Sequence, residues 1–161
     1  MKNKTRIISV VLVSLVFLIS ACRANISRNS DGSLSVQTTI SQQELQEAIN
    51  ASIADPLVKE LNVSLQQGYI LVTGQRQRLN DASKTDTLNF RLDLGVSNGQ
   101  LTATVSNATL DGKPVEQNRV DHWNQTIASR IVILGKKRPN TSLKSVNVTP
   151  ESVAMDWTVS K

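Results

Sequence analysis

The residues able to do covalent or acid–base chemistry in this chain are few. Cys22 is the only cysteine and His122 the only histidine in 161 residues. There is no His/Cys cluster at metal-ligand spacing and no Gly-rich phosphate loop. His122 stands beside Trp123 but off the apolar stripe of its helix, so it reads as a solvent-facing residue rather than a general base. Asp121 does not activate it, because adjacent helix residues do not face each other. Asp86, Asp93 and Asp111 fall where strand alternation or turn chemistry already accounts for a carboxylate. Lys136-Lys137-Arg138 is the one dense basic cluster. It is suited to anionic lipid headgroups, or simply to the negative end of the helix it follows. The inventory points away from an enzyme and implies no metal or cofactor.

The chemistry that the sequence does support is at Cys22. Lys2, Lys4 and Arg6 precede an apolar run from Ile7 to Ile19, broken only by Ser9 and Ser14, and then the small pair Ser20-Ala21. This order of basic, apolar and small segments is that of a secretory signal. As a helix the run rises about 20 Å, against a hydrocarbon core of about 30 Å, so it is a poor permanent span. Ile19-Ser20-Ala21-Cys22 resembles the bacterial lipobox, in which cleavage leaves an acylated cysteine at the new N-terminus. The resemblance implies a signal peptide over 1–21 and palmitate-type acylation of Cys22. It places the protein, lipid-anchored, on the exported, periplasmic side of a bacterial cell-envelope membrane.

Removing Lys2, Lys4 and Arg6 from the 18 basic residues leaves 15 against 13 acidic ones. So balanced a surface carries no footprint for nucleic acid. The mature length suits one domain, read as 33–161, on a polar, aperiodic tether over 22–32. Aromatic residues make up only 3% of the chain. The core is therefore expected to be aliphatic, with Trp123 and Trp157 as its largest members.

Elements that position these side chains follow from periodicity. Leu34, Val36, Thr38 and Ile40 alternate as a strand; Ser41 and Glu44 form a capping box; and Leu45, Ala48, Ile49 and Ile53 give the first helix its stripe before Asp55-Pro56 stops it. A hairpin turns at Gln67-Gly68. Leu88, Phe90, Leu92, Leu94 and Val96 then make the clearest alternation, and Asn98-Gly99 predicts a type I′ turn. A shift of phase from Val105 to Ala108 predicts a bulge near Ser106-Asn107, and hence a curved sheet. Val120, Trp123, Ile127, Ile131 and Leu134 define a second helix ended by Gly135. Two strands follow, the last carrying Val153, Met155, Trp157 and Val159. The expected class is α+β.

Trp123, Ile127 and Ile131 facing Phe90, Met155 and Trp157 make a core by default, and a ligand groove if helix and sheet do not close on each other. The Gln67-Gly68-Tyr69 and Ser97-Asn98-Gly99-Gln100-Leu101 hairpins, the Leu110-to-Val115 turn before a helix, and the closing Val146-Asn147-Val148 and Val153-to-Trp157 strands resemble the LmeA-like family of bacterial envelope proteins. That family is placed with tubular lipid-binding (TULIP) domains. The resemblance implies a curved antiparallel sheet wrapped around one long helix, with a second shorter helix. It also implies an apolar channel for a phospholipid or other acyl-chain ligand; the apolar helix stripes facing a bent, one-sided sheet then give a non-catalytic groove with Trp123, Ile127 and Ile131 on one wall and Phe90, Met155 and Trp157 opposite. The alternative is a structural or adaptor lipoprotein that binds another envelope protein.

Overall fold

Alternation of Leu88, Phe90 and Leu92 is realised in the longest strand of the computed structural model, which describes residues 25–29, 33–135 and 140–159. Among the described residues the order is β1 (Asn25–Arg28), β2 (Leu34–Ser41), α1 (Gln42–Ile53), β3 (Val58–Gln66), β4 (Tyr69–Gln77), β5 (Thr85–Ser97), β6 (Gln100–Leu110), β7 (Lys113–Pro114), α2 (Gln117–Leu134), β8 (Thr141–Val148) and β9 (Ser152–Val159). The class is α+β. All strand pairings are antiparallel, but the strands form two sheets where one curved sheet was expected: four strands in the order β1-β2-β9-β8 and five in the order β3-β4-β5-β6-β7.

The division follows from strand lengths and from which strands meet. β2 and β9 pair along their whole length, from Leu34 opposite Val159 to Ser41 opposite Ser152, so the first long strand and the last close a sheet of their own. In the other sheet β4 begins at Tyr69, with Ile70 opposite Leu92, while β5 runs on to the Asn98-Gly99 turn. β8 packs against β5 and ties the sheets together at two hairpin tips. The Leu143 amide donates to the Gly99 carbonyl and the Gly68 amide to the Val148 carbonyl, both at 2.9 Å.

Local chemistry explains the joints. The Ser41 amide donates to Glu44 Oε2 at 2.8 Å and the Glu44 amide to Ser41 Oγ at 3.3 Å, which is the expected capping box. α1 ends at Ala54 in the left-handed region, just before Asp55-Pro56. Asn98 and Gly99 have φ of 52° and 72°, as a type I′ turn requires. Between the pairs Asn89↔Thr109 and Arg91↔Ser106 β6 carries one extra residue, and Asn107 has φ 53°, so the bulge lies where the phase shift placed it.

The helices also satisfy strand edges. Asn124 Oδ1 on α2 accepts from the Val105 amide of β6 at 2.7 Å, and Gln46 Oε1 on α1 accepts from the Val63 amide of β3 at 3.4 Å. Otherwise these edge amides would face an apolar interior without partners.

The expected tether needs correction. Asn25–Arg28 is a strand paired with β2, from Asn25 opposite Gln37 to Arg28 opposite Leu34. Asn29 Nδ2 donates to Ser33 Oγ and Ser35 Oγ, each at 2.9 Å, and so adds to the β1–β2 contact. All four strand residues are exposed, which is why no apolar period betrays them. Cys22, Lys136, Lys137 and Arg138 lie outside the described residues.

Candidate functional site: an apolar groove at the end of the second helix

The six residues read from sequence as a lipid-facing set come together in the interior. Trp123 of α2 stacks on Phe90 of β5, with ring centroids 5.6 Å apart and planes inclined by 29°. Ile127 and Ile131 continue the stripe along α2, and Met155 and Trp157 project from β9. Each of the six is at most 4% exposed, and they belong to one continuous apolar cluster. The closest approach is at Gly135, where α2 stops. A Cβ there would lie 2.9 Å from Met155 Sδ and 3.2 Å from Trp157 Cζ2, so only glycine lets the helix end settle on β9 without displacing them.

Trp157 is also the point where this core reaches the surface. It floors an open groove of about 400 Å³, walled by Gly99, Gln100 and Leu101 of the β5–β6 tip and by Ala128, Ser129, Val132 and Ile133 of α2. The volume is near the lower end of ligand pockets, about 300–1,000 Å³. Trp157 Nε1 donates to Thr38 Oγ1 at 3.1 Å. Its only polar donor is thereby engaged, and what the ring offers the groove is hydrocarbon. Ile133 on the rim is 74% exposed.

Val132 and Ile133 lie outside the apolar stripe of Val120, Trp123, Ile127, Ile131 and Leu134. The available signal is the unbroken run Ile131-Val132-Ile133-Leu134. Four consecutive residues cover all sides of a helix, so some of them must leave the core.

Several charged groups elsewhere are paired with each other. A basin of about 410 Å³ is lined by Arg78, Asp86, Asp111, Lys113, Glu116 and Arg119, together with Leu110, Pro114 and Val115. Within it Arg78 binds Asp86 at 2.5 Å and Asp111 at 3.2 Å. The Asp86 hydrogen bond is the largest of the influences holding the Arg78 guanidinium above its ordinary value. A second basin, about 360 Å³, is mainly polar, lined by Gln46, Glu47, Asn50, Lys59, Glu60, Leu61 and Asn62. Arg91 grips Asp93 through Nε and Nη2 while lying 4.2 Å from the centre of the Tyr69 ring.

Asp55, after α1, receives a 2.8 Å hydrogen bond from Arg76 Nε and one of 2.9 Å from the Leu57 amide. Burial works to raise its carboxyl. The two hydrogen bonds and the charges of Arg76 and Arg119 outweigh burial and hold it below the usual carboxylate range.

His122 is exposed on α2. Among the described residues no group of three or more His, Cys, Asp or Glu side chains is placed to hold a metal ion. No described helix is long and apolar enough to cross a membrane. Comparison of the chain with protein-family models, curated proteins and solved structures finds no match.

Proposed function

We propose that this chain is a non-catalytic envelope lipoprotein, held at a bacterial membrane by acylated Cys22, that takes a phospholipid acyl chain into the groove beside Trp157. The observation that carries the reading is the groove itself: an open trough in which Leu101, Ala128, Val132, Ile133 and Trp157 supply the apolar lining and the one polar ring atom of Trp157 is already bonded. An acyl chain entering it gains about 0.8 kcal/mol per buried methylene. Six to eight methylenes thus contribute about 5–6 kcal/mol, enough for capture from a nearby bilayer rather than storage in solution.

On this reading the architecture is of the tubular lipid-binding kind, with the 18-residue α2 as the axial helix. The β5–β6 hairpin, bent at Asn107, is the wall that curves around it. Phe90, Trp123, Ile127, Ile131 and Met155 belong to the packed core, and Trp157 is the member of the set that lines the groove and meets the ligand. The lipobox resemblance at Ile19-Ser20-Ala21-Cys22 and the resemblance of the hairpin pattern to that of LmeA-like proteins support the same assignment.

Photo-cross-linking tests it. A phospholipid with a diazirine on its acyl chain is expected to label the segments 99–101 and 128–133. Labelling spread evenly over the chain, or none in these two segments, contradicts the proposal.

A further inference from the structure

The four-stranded sheet carries an apolar surface that leaves the core and reaches solvent at its β1 edge. Ile26, Val36, Trp157 and Leu143 lie in one row across the four strands. Residues opposite each other in antiparallel strands point to the same face. Trp157 and Leu143 are 3% and 2% exposed, so this is the face that packs on the core; at the far end of the same row Ile26 is 64% exposed. The next row on this face places Leu34, 40% exposed, between Arg28 and a half-buried Val159. Among the described residues the cover given by α2 ends at Gly135, on Met155 and Trp157. The exposed Ile133 projects from the last turn of α2 at the groove that Trp157 floors. Isolated exposed apolar residues are ordinary. Here Ile26 pairs directly with Val36, and Trp157, opposite Val36, lines the groove that Ile133 borders.

What covers this surface follows from the chain that enters it. Only Arg23 and Ala24 separate Cys22 from Asn25, so the Cys22 and Asn25 Cα atoms are within about 11 Å of each other. A ten-residue tether would have allowed about 33 Å. Since β1 is part of the sheet, the strand bearing Ile26 is also the strand that holds the anchor. Amphipathic surfaces seat about 5–10 Å into the headgroup and acyl boundary, well within that reach.

We propose that this edge, with Ile26, Leu34 and Val36 and with Ile133 beside it, is the surface by which the domain seats on a phospholipid bilayer, turning the groove toward the membrane. Arg28, opposite Leu34, is placed for the phosphate headgroups. The inference rests on the reading of Cys22 as lipid-modified: the anchor supplies affinity, and the apolar edge sets orientation.

The test is quenching of introduced tryptophans by brominated phospholipids, in vesicles of phosphatidylethanolamine and phosphatidylglycerol. Leu34→Trp and Ile133→Trp replace side chains that are already exposed. Glu47→Trp and Lys59→Trp, exposed on α1 and β3, are the references. Each variant is prepared as the naturally processed protein, and also as the mature chain coupled through the Cys22 thiol to a maleimide-headgroup lipid. After subtraction of the parent signal, Leu34→Trp and Ile133→Trp are expected to lose most of their fluorescence while Glu47→Trp and Lys59→Trp keep theirs. Equal quenching at all four positions, or none, in the coupled sample overturns the seating. A processed chain whose mass lacks the acyl groups overturns the reading of Cys22 instead, so the two failures are distinguishable.

Discussion

The two ends of α2 carry the same kind of stripe and meet different surroundings. At the N-terminal half Trp123 lies on Phe90, and Asn124 caps an edge amide of β6. Helix and sheet are joined there by both apolar and polar contacts. At the C-terminal end the apolar residues outnumber the surfaces available to cover them. Ile131 is fully buried, while Ile133 is 74% exposed over a groove that the β5–β6 tip leaves open. The difference shows that hydrophobicity alone does not decide what is core. The reach of the opposing sheet decides it, and where the reach ends the same chemistry is left exposed.

Truncation at the two ends gives the largest contrast. Trp123→Ala removes a stacked, buried indole and is expected to cost about 3–5 kcal/mol, read as a fall in the urea midpoint with unchanged slope. Ile133→Ala is expected to stay within about 0.5 kcal/mol of the parent. Similar losses at both positions would mean that the groove end is packed as tightly as the Trp123 end.

The two hairpin tips that meet β8 sharpen the comparison at a smaller scale. Both Gly68 and Gly99 have positive φ, but a Cβ at Gly68 meets nothing within 4 Å, whereas one at Gly99 runs into the Ser142 side chain. Gly68→Ala should therefore cost about 1–2 kcal/mol of backbone strain alone. Gly99→Ala adds a steric term of about 1–3 kcal/mol. Adding Ser142→Gly to Gly99→Ala should recover that second term, and a double-mutant cycle reads it directly.

Asp55 provides a modest effect with a pH signature. Its folded pKa lies below the ordinary 3.8, so the stabilisation is fully present above that value and is lost as pH falls through the lowered folded value. Asp55→Asn should cost about 1–2 kcal/mol at neutral pH, because it leaves Arg76 without its carboxylate. Its stability curve should converge on the parent's below about pH 3.8. A constant difference down to the lowest pH would show that the pair contributes shape rather than charge.

Features written in adjacent residues were readable before the structure. Ser41 and Glu44 announce a helix start, Asn98-Gly99 a turn, and the slip from Val105 to Ala108 a bulge, because each is settled by local geometry. The buried set from Phe90 to Trp157 was readable as well, since alternation and helical spacing select a face. Partnership was not. Asn25–Arg28 is polar enough to pass for a tether, and its pairing is dictated by Leu34–Ser41 rather than by its own composition. The split into two sheets likewise depends on β2 meeting β9 across nearly the whole chain. The groove lay hidden because Val132 and Ile133 look like surplus core in a helix whose cover is set by a distant hairpin.

Native mass spectrometry of the mature chain with Cys22→Ser tests the central claim most directly. After incubation with phosphatidylglycerol vesicles, the parent is expected to carry the mass of one phospholipid. Ala128→Trp, which fills the groove from its half-buried wall, is expected to emerge bare while melting in the same range. A parent that remains bare, or an Ala128→Trp chain that binds lipid equally well, contradicts the account.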